Sequence, residues 1–236
     1  MIKSSKKALY VREMFSSISH RYDLLNKLLS LGRDRYWRSF AVSQLSSMAG
    51  GLYLDIATGT ADVAMEIAKR GAVNTGIVGV DFNEKMLEIG RRKIKKSGFE
   101  DRIKLNFADA QTLPFRDEFF DAAIVAFGIR NLSDPMTGIK EMRRVVKEKG
   151  KVVILEFTTP GNSISREIYY LYFRRLLPLI GGIISGKRHA YQYLSESVIE
   201  FPDQEGLKRM MEDAGLHDVR YYNLTFGIVA VHVGVK

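Results

Sequence analysis

The stretch LDIATGTAD, from Leu54 to Asp62, decides the fold together with GVDFN, from Gly79 to Asn83. In the first stretch an apolar run ends in an acid and is followed by small residues and an amphipathic run, which predicts a strand, a tight turn and a helix. In the second stretch an apolar run ends at Asp81, so this acid should stand at the carboxyl end of the neighbouring strand. An acid there can accept both hydroxyls of a ribose, and the pair of stretches therefore predicts a site for an adenosine-containing ligand.

The residues of the first turn narrow the choice of ligand. Of the glycine pattern that binds a pyrophosphate only Gly59 is present, with Ala57 and Ala61 as the other small residues, and no Lys follows as in a P-loop. Asp55 and Asp62 would repel a phosphate and attract a cation. S-adenosylmethionine has an adenosine, no phosphate, and positively charged ammonium and sulfonium groups, so we predict it as the cofactor.

From Leu52 onward the chain alternates between strand and helix patterns, which predicts an α/β fold with a doubly wound, mostly parallel sheet. The predicted strands are 52–56, 76–81, 103–108, 120–127 and 151–157, followed by a hairpin of 217–224 and 226–235. The predicted helices are 61–70, 83–97 and 134–147. The length suits a single domain over 1–236, divided into a helical cover (1–50), a cofactor-binding core (51–160), an insertion facing substrate or membrane (161–200) and a C-terminal helix with the hairpin (201–236).

Ligands of such sheets bind outside the carboxyl ends of the strands, so the residues that follow the strands are candidate site residues. Asp109 and Ala110 follow the third strand, where an acid and a backbone amide can meet an adenine. Arg130 and Asn131 follow the fourth strand. The alternative for Arg130 is a structural ion pair with Asp134 or with Asp62 of the first turn.

Composition restricts the class of protein. A hydrophobic share of 46% with 27% charged residues is ordinary for a soluble globular protein, and the chain has no Cys, so it lacks a thiolate nucleophile and a cysteine metal site. We predict no metal site.

No signal peptide and no apolar run long enough to span a bilayer is visible, which predicts a cytoplasmic protein. The net charge of +9 favours an acidic partner, either nucleic acid or the anionic inner face of a membrane.

The segment from Ile164 to Tyr193 combines many aromatic and aliphatic residues with five or more cations. A buried helix would carry fewer cations, and a spanning helix would carry none at its centre. The pattern favours a lipid-facing entrance in peripheral contact with a membrane, or an interface of a homodimer.

Motifs along almost the whole chain resemble one family, the ubiquinone/menaquinone biosynthesis C-methyltransferases, which methylate a carbon of a polyprenyl quinol ring. The motifs are FSSISHRYDLLNKLLSLGRDRYWR (Phe15–Arg38), LDIATGTAD, VDFNEKML (Val80–Leu87), DAQTLPF (Asp109–Phe115), FGIRNLSD (Phe127–Asp134), LEFTTP (Leu155–Pro160) and YQYLSESVIEFPDQEGLKRMMEDAG (Tyr191–Gly215). The resemblance implies a class I S-adenosylmethionine-dependent methyltransferase with a seven-stranded sheet, an antiparallel C-terminal strand and a lipid quinol substrate.

The resemblance also implies cofactor contacts at Thr60, Asp81, Asp109 and Ala110. With the residues of the strand-end turns, the predicted cofactor site consists of Asp55, Thr58, Gly59, Thr60, Asp81, Phe82, Asp109, Ala110 and Phe127.

A quinol carbon becomes nucleophilic when a neighbouring hydroxyl loses its proton, and a cation can stabilise the phenolate that forms. Arg130 with Asn131 is our candidate for that role, and His20 and Tyr191 are candidates for the base or its relay. The rival function is an RNA methyltransferase, suggested by the net charge. It would need a basic, aromatic groove or an RNA-binding appendage, and neither is visible, so we expect no nucleic-acid partner.

Overall fold

The sheet is the frame on which the site is built. The computed structural model describes residues 6–45, 50–160, 167 and 188–236, without the side chains of 188–192 and 194. In this part of the chain seven strands lie in the order β3-β2-β1-β4-β5-β7-β6. They are β1 (Gly51–Ile56), β2 (Thr75–Asp81), β3 (Ile103–Phe107), β4 (Phe120–Ala126), β5 (Val146–Phe157), β6 (His217–Leu224) and β7 (Val229–Val235).

The pairing confirms the predicted topology. Strands β1 to β5 run parallel to one another, whereas β7 lies antiparallel between β5 and β6. The α-helices of the described residues are α1 (Lys6–Ile18), α2 (Tyr22–Leu29), α3 (Asp34–Ser43), α4 (Asp62–Arg70), α5 (Glu84–Ser97), α6 (Pro135–Val145), α7 (Arg188–Glu200) and α8 (Gln204–Asp213).

Two apolar layers cover the sheet because alternate residues of a strand point to opposite faces. Tyr53 packs in the layer formed with α3, α4 and Ile94 of α5. Its neighbour Leu54 packs in the opposite layer, formed with α6 and α8. The turns at the carboxyl ends of these strands are therefore supported by strands that are buried on both faces.

Side-chain caps fix where the helices begin. Asn83 accepts a hydrogen bond from the backbone N–H of Met86 at the start of α5. Asp134 caps α6 in the same way, with Pro135 in the first turn. Helix α5 thus begins directly after the short turn that follows β2, whereas a longer connection with a 3₁₀ turn (Ile129–Asn131) lies between β4 and α6.

The boundaries differ from the sequence prediction mainly around β5. The predicted helix 134–147 ends at Val145, and the strand predicted to begin at 151 begins at Val146. Val146 pairs with Phe120, and a register shift separates this pair from the regular ladder that starts at Ala122. The predicted terminal hairpin is confirmed, with a 3₁₀ turn (Thr225–Gly227) between its strands. Of the predicted lipid-facing segment, Ile164 to Tyr193, all but residue 167 and residues 188–193 lies outside the described residues.

Candidate active site

A pocket lies at the carboxyl edge of β1, β2, β3 and β4, between the turns that follow these strands. The order of the strands changes direction between β1 and β4, which is where open α/β sheets bind ligands. Helix α1 contributes Ala8, Val11, Arg12 and Phe15 to the lining and so covers the pocket. Of the residues predicted from sequence to bind the cofactor or to act in catalysis, the pocket is lined by Gly59, Asp81, Phe82, Asp109, Ala110, Phe127 and Asn131.

The turn after β1 is held in an unusual backbone conformation. Ala57, Gly59 and Ala61 have φ values of 51°, 54° and 68°, in the left-handed region. This region costs an alanine about 1 to 2 kcal/mol, so the surrounding structure must hold the turn in place. Phe127, at the end of β4, is left-handed as well, with φ of 57°. Both turns that border the switch point therefore store backbone strain at the pocket, as functional sites often do.

Asp81 is placed to receive hydroxyl donors. Its Oδ2 accepts a hydrogen bond from the backbone N–H of Gly59 at 2.8 Å, and its Oδ1 accepts one from that of Asn83 at 2.9 Å. Burial raises the pKa of this carboxyl to about 6, against the opposing effect of these hydrogen bonds. A carboxylate offers about four lone-pair sites, so Asp81 keeps acceptor capacity for a ribose hydroxyl beside its backbone donors.

The opposite end of the pocket suits a planar purine. Val80, Met86 and Ala108 give it apolar walls, and Asp109 supplies a carboxylate beside them. The backbone N–H and the side-chain amide of Gln111 both donate to Oδ1 of Asp109, which fixes the orientation of the carboxylate. Arg12 is the one Lys or Arg among the described lining residues. The donor set fits an adenosine with an apolar ring pocket and does not resemble a phosphate site.

The structure corrects the expectation that Asp55 and Asp62 face the cationic groups of the cofactor. Oδ2 of Asp55 accepts hydrogen bonds from the Thr58 hydroxyl at 2.5 Å and from the backbone N–H of Ala64 at 3.0 Å. Asp55 is 1% exposed, and burial raises the pKa of its carboxyl to about 7. Asp55 and Thr58 thus stabilise the turn from inside, outside the pocket lining.

Thr60 and Asp62 belong to a second polar network below the helical cover. The ammonium of Lys93 lies 3.0 Å from the Thr60 hydroxyl, 2.5 Å from Asp62 and 2.7 Å from Asp23 of α2. The Thr60 hydroxyl itself donates to Asp23 at 2.6 Å. The Thr60 hydroxyl therefore connects the turn after β1 to α2, and Thr60 is not among the residues that line the pocket.

Arg130 forms a buried ion pair, but its partner is neither Asp134 nor Asp62. Its Nη1 lies 2.5 Å from Oε1 of Glu156, the penultimate residue of β5, and also donates to the carbonyl of Phe127 at 2.9 Å. Burial raises the pKa of Glu156, and the charge of Arg130 acts in the opposite direction. The Nε of Arg130 is buried and has no hydrogen-bond partner among the described residues, so the guanidinium retains a donor.

Two tyrosines near this pair were missed from the sequence. The hydroxyl of Tyr193, on α7, donates to Oδ1 of Asn131 at 3.3 Å, and burial raises the pKa of Tyr193. Tyr22 lines the pocket, and burial raises its pKa as well. The available signal was helical spacing, because Tyr22 continues the apolar face of Ile18 and Leu25.

The two residues predicted as candidates for the base, His20 and Tyr191, lie on different elements of the structure. His20 lies in a 3₁₀ turn (Ser19–Arg21) with its side chain exposed, outside the pocket lining. Tyr191 lies on α7, but its side chain is outside the described part of the structure. The structure therefore brings Arg130, Asn131, Tyr193 and Glu156 together and leaves His20 apart.

Helix α1 is fastened over the pocket at two points. The Lys7 ammonium donates to the carbonyls of Arg130 at 3.1 Å and Leu132 at 2.7 Å. Near the other end of the helix, the Asn83 amide donates to the carbonyl of Arg12 at 3.0 Å and accepts from the Ser16 hydroxyl at 3.3 Å. Opening of the pocket at α1 requires that these hydrogen bonds break.

Comparisons with known proteins agree with this geometry. The model of the ubiE/COQ5 methyltransferase family matches residues 2–236. The ubiquinone/menaquinone biosynthesis C-methyltransferase UbiE of Citrifermentans bemidjiense is 50% identical over 236 residues, the full length of both chains. The protein of the same name from Hahella chejuensis is 40% identical over 98% of this chain and 93% of its own.

Solved structures show the same fold at low identity. A SAM-dependent methyltransferase from Aquifex aeolicus superposes with a TM-score of 0.64 at 17% identity, covering 90% of this chain and 96% of its own. The [4+2]-cyclase SpnF gives the same TM-score of 0.64 at 14% identity, covering 100% and 97%, so the fold alone does not fix the reaction. The sequence matches are what decide identity: the chain belongs to the ubiE/COQ5 methyltransferase family and is an S-adenosylmethionine-dependent methyltransferase.

Proposed function

We propose that this protein methylates a ring carbon of a polyprenyl quinol, the demethylated precursor of menaquinone or its benzoquinol equivalent. The observation that carries the proposal is the continuity of the cofactor pocket with the turn after β4. Asn131 lines the pocket, and the adjacent Arg130 holds its guanidinium against Glu156 with one buried donor unpartnered among the described residues. A cationic donor beside the methyl donor is what an electron-rich phenolic acceptor needs.

S-adenosylmethionine, when bound, supplies an electrophilic methyl group. The Asp81 carboxylate would hold the ribose hydroxyls, and Asp109 with the backbone at Ala110 would hold the adenine. Methyl transfer is an in-line displacement, so the chain contributes mainly by fixing the acceptor carbon in line with the methyl group. The left-handed turn at Phe127 serves this end, because its carbonyl accepts hydrogen bonds from both Arg130 and Asn131.

Arg130 stabilises the phenolate form of the acceptor. Loss of the quinol proton to water places negative charge on an oxygen, and that charge makes the ortho carbon nucleophilic. Once this carbon carries the methyl group, it releases its own proton to water and the ring becomes aromatic again. Because the Arg130 and Glu156 side chains are both buried, water screens their interaction with a bound substrate weakly. Asn131 is oriented by Phe127 on one side and by the Tyr193 hydroxyl on the other, so it can position the same oxygen.

The test is methyl transfer by the purified protein under reducing conditions. Labelled S-adenosylmethionine is incubated with short-tailed demethylmenaquinol, and bulk RNA is offered in a parallel reaction. We expect label in the quinone fraction and none in RNA; label in RNA alone would overturn the proposal. Arg130→Lys keeps a positive charge but loses the planar fork. We expect its kcat to fall about 100-fold or more if the guanidinium stabilises the phenolate, and an unchanged kcat would remove Arg130 from the mechanism.

We also propose that the protein works in peripheral contact with an anionic membrane surface. Its substrate class carries an isoprenoid tail, and the chain has a net charge of +9. Among the helices of the described residues none is long and apolar enough to cross a membrane. A homodimer is the other assembly that the sequence suggests, and both are tested by the experiment of the next subsection.

A further inference from the structure

The outer face of α2 is apolar and exposed. Leu24 is 60% exposed, Leu28 is 45% exposed and Leu31, just beyond the helix, is 88% exposed. Residues at this spacing lie on one side of a helix. The opposite side of α2 packs into an apolar cluster in which Leu25 is buried together with Ile18 and Val198. The leucines of the outer face therefore add nothing to that core, and a contiguous exposed apolar face marks an interaction site.

The backbone at Leu31 strengthens this interpretation. Leu31 has φ of 52° and Gly32 has φ of 75°, so a leucine occupies a left-handed position where Asn or Gly is usual. The conformation costs a leucine about 1 kcal/mol or more, and its exposed side chain gains little packing in return. A residue that is both strained and exposed is better explained by a contact outside the protomer than by folding.

The charges around these leucines are positive. Lys27, Arg33 and Arg35 are exposed, whereas the acids of the same region are engaged internally. Asp23 pairs with Lys93 at 2.7 Å and Asp34 pairs with Arg38 at 2.5 Å. The outer surface therefore shows cations beside leucines, a pattern that binds anionic membrane surfaces.

Two other apolar side chains of the described residues, Phe226 and Val73, are as exposed as Leu31 but do not belong to α2. Phe226, 88% exposed, lies in the turn that Trp37 of α3 fastens through a 2.7 Å hydrogen bond to Thr225. Val73 is also 88% exposed, but it precedes β2 and so lies at the amino edge of the sheet, away from the pocket. Since Tyr22 at the start of α2 lines the pocket, a surface on α2 is adjacent to the cofactor site.

We propose that Leu24, Leu28 and Leu31, with Lys27, Arg33 and Arg35 around them, form a docking surface for an anionic phospholipid membrane. Below we call these six residues the docking surface. The leucines insert at the headgroup boundary and the cations neutralise lipid phosphates. Docking in this orientation places the helical cover of the pocket against the bilayer that holds the isoprenoid tail of the substrate. The lipid substrate named in this inference rests on the proposed function, whereas the vesicle-binding test does not depend on it.

The experiment is co-sedimentation of the purified full chain with vesicles. Vesicles of phosphatidylcholine with phosphatidylglycerol are compared with vesicles of phosphatidylcholine alone. The test variant combines Leu24→Gln, Leu28→Gln and Leu31→Asn, since Gln suits a helix and Asn suits the left-handed position. Val73→Gln is the matched control, because it removes an equally exposed apolar side chain at the opposite edge.

We expect wild type and Val73→Gln to bind the anionic vesicles alike, and the triple variant to bind at least tenfold more weakly. A second variant, Lys27→Gln with Arg33→Gln and Arg35→Gln, should bind more weakly and lose most of the salt dependence of binding. Urea unfolding checks that each variant is folded; if the triple variant does not fold, the charge variant decides. The proposal is overturned if wild type ignores anionic vesicles or if the folded variants bind as wild type does.

Two other occupants of the surface give distinct results. If the surface binds RNA, bulk RNA will compete with the vesicles and the variants will lose RNA binding. If it is an interface between copies, wild type will be a dimer and the triple variant a monomer, without vesicle binding. Methylation of a short-tailed, dispersed quinol should be unchanged in all variants. Failure of wild type to methylate that quinol would refute the proposed function and leave the vesicle result intact.

Discussion

The substitution Asp55→Asn should change the pH dependence of stability. Asp55 is buried inside the turn after β1, and its pKa is raised from 3.8 to about 7. A raised pKa in the folded state means that folding favours the protonated form. The stability contributed by this group is therefore complete below pH 4 and is lost as the pH rises through 7.

The size of the effect follows from the shift in pKa. A shift of roughly 3 units, at 1.36 kcal/mol per unit, corresponds to about 4 kcal/mol between the extremes of pH. Of this loss of stability, about 3 kcal/mol falls between pH 5 and pH 8. Asn keeps an oxygen that accepts from Thr58 and Ala64 but carries no titrating charge. The variant should thus gain about 3 kcal/mol relative to wild type over that interval.

The assay is urea unfolding of wild type and Asp55→Asn at pH 5 and at pH 8. The difference in unfolding free energy between the two proteins is determined at each pH, and the two differences are then compared. Asp134→Asn provides a control with no expected change between these pH values, because the pKa of Asp134 is lowered below 3.8, chiefly by a hydrogen bond from Thr137. The stability that a lowered pKa contributes is present above the unfolded value and is lost only on acidification below it, outside the interval of the assay. A difference between wild type and Asp55→Asn that does not change with pH would refute our account of the turn.

Three further substitutions test the site. Glu156→Gln leaves Arg130 as a buried charge without a counterion, and we expect the free energy of unfolding in urea to fall by about 3 to 5 kcal/mol. Replacing both Arg130 and Glu156 by Leu should lower it less. A fall below about 1 kcal/mol for Glu156→Gln would contradict a buried ion pair. Asp81→Ala removes the acceptor for the ribose, and calorimetry should show at least tenfold weaker cofactor binding; unchanged affinity would disprove the assignment. Lys7→Met removes two hydrogen bonds that hold α1, and stopped-flow should show cofactor release faster by roughly tenfold, whereas an unchanged release rate would show that α1 does not gate the pocket.

The sequence was sufficient for features that depend on local order along the chain. The run into Asp81 and the small residues around Gly59 predicted a strand end and a turn, and the structure places both at the pocket. Asp109 and Asn131 were predicted for the same reason, since each follows a strand and parallel strands end at one edge. The left-handed backbone at Ala57 and Ala61, where glycine would be usual, was not predicted from the sequence.

The tertiary structure alone decided which side chains meet. Arg130 and Glu156 are 26 positions apart in the sequence, and they form an ion pair because β4 and β5 are neighbours in a fixed register. The contact of Tyr193 with Asn131 depends on how α7 packs against the turn after β4, which the sequence does not reveal. Whether Asp55 faces the pocket or the turn depended on a hydrogen bond from Ala64, nine residues away.

The division has a physical reason. Periodicity and strand ends are properties of a few consecutive residues, so the sequence determined the sheet, the edge that carries the site, and a cofactor without phosphates. Pairing depends on register, on the direction of each side chain and on burial, which are set only when the layers pack. The direction of Asp55, the partner of Arg130 and the exposure of the α2 leucines are therefore results of the tertiary structure.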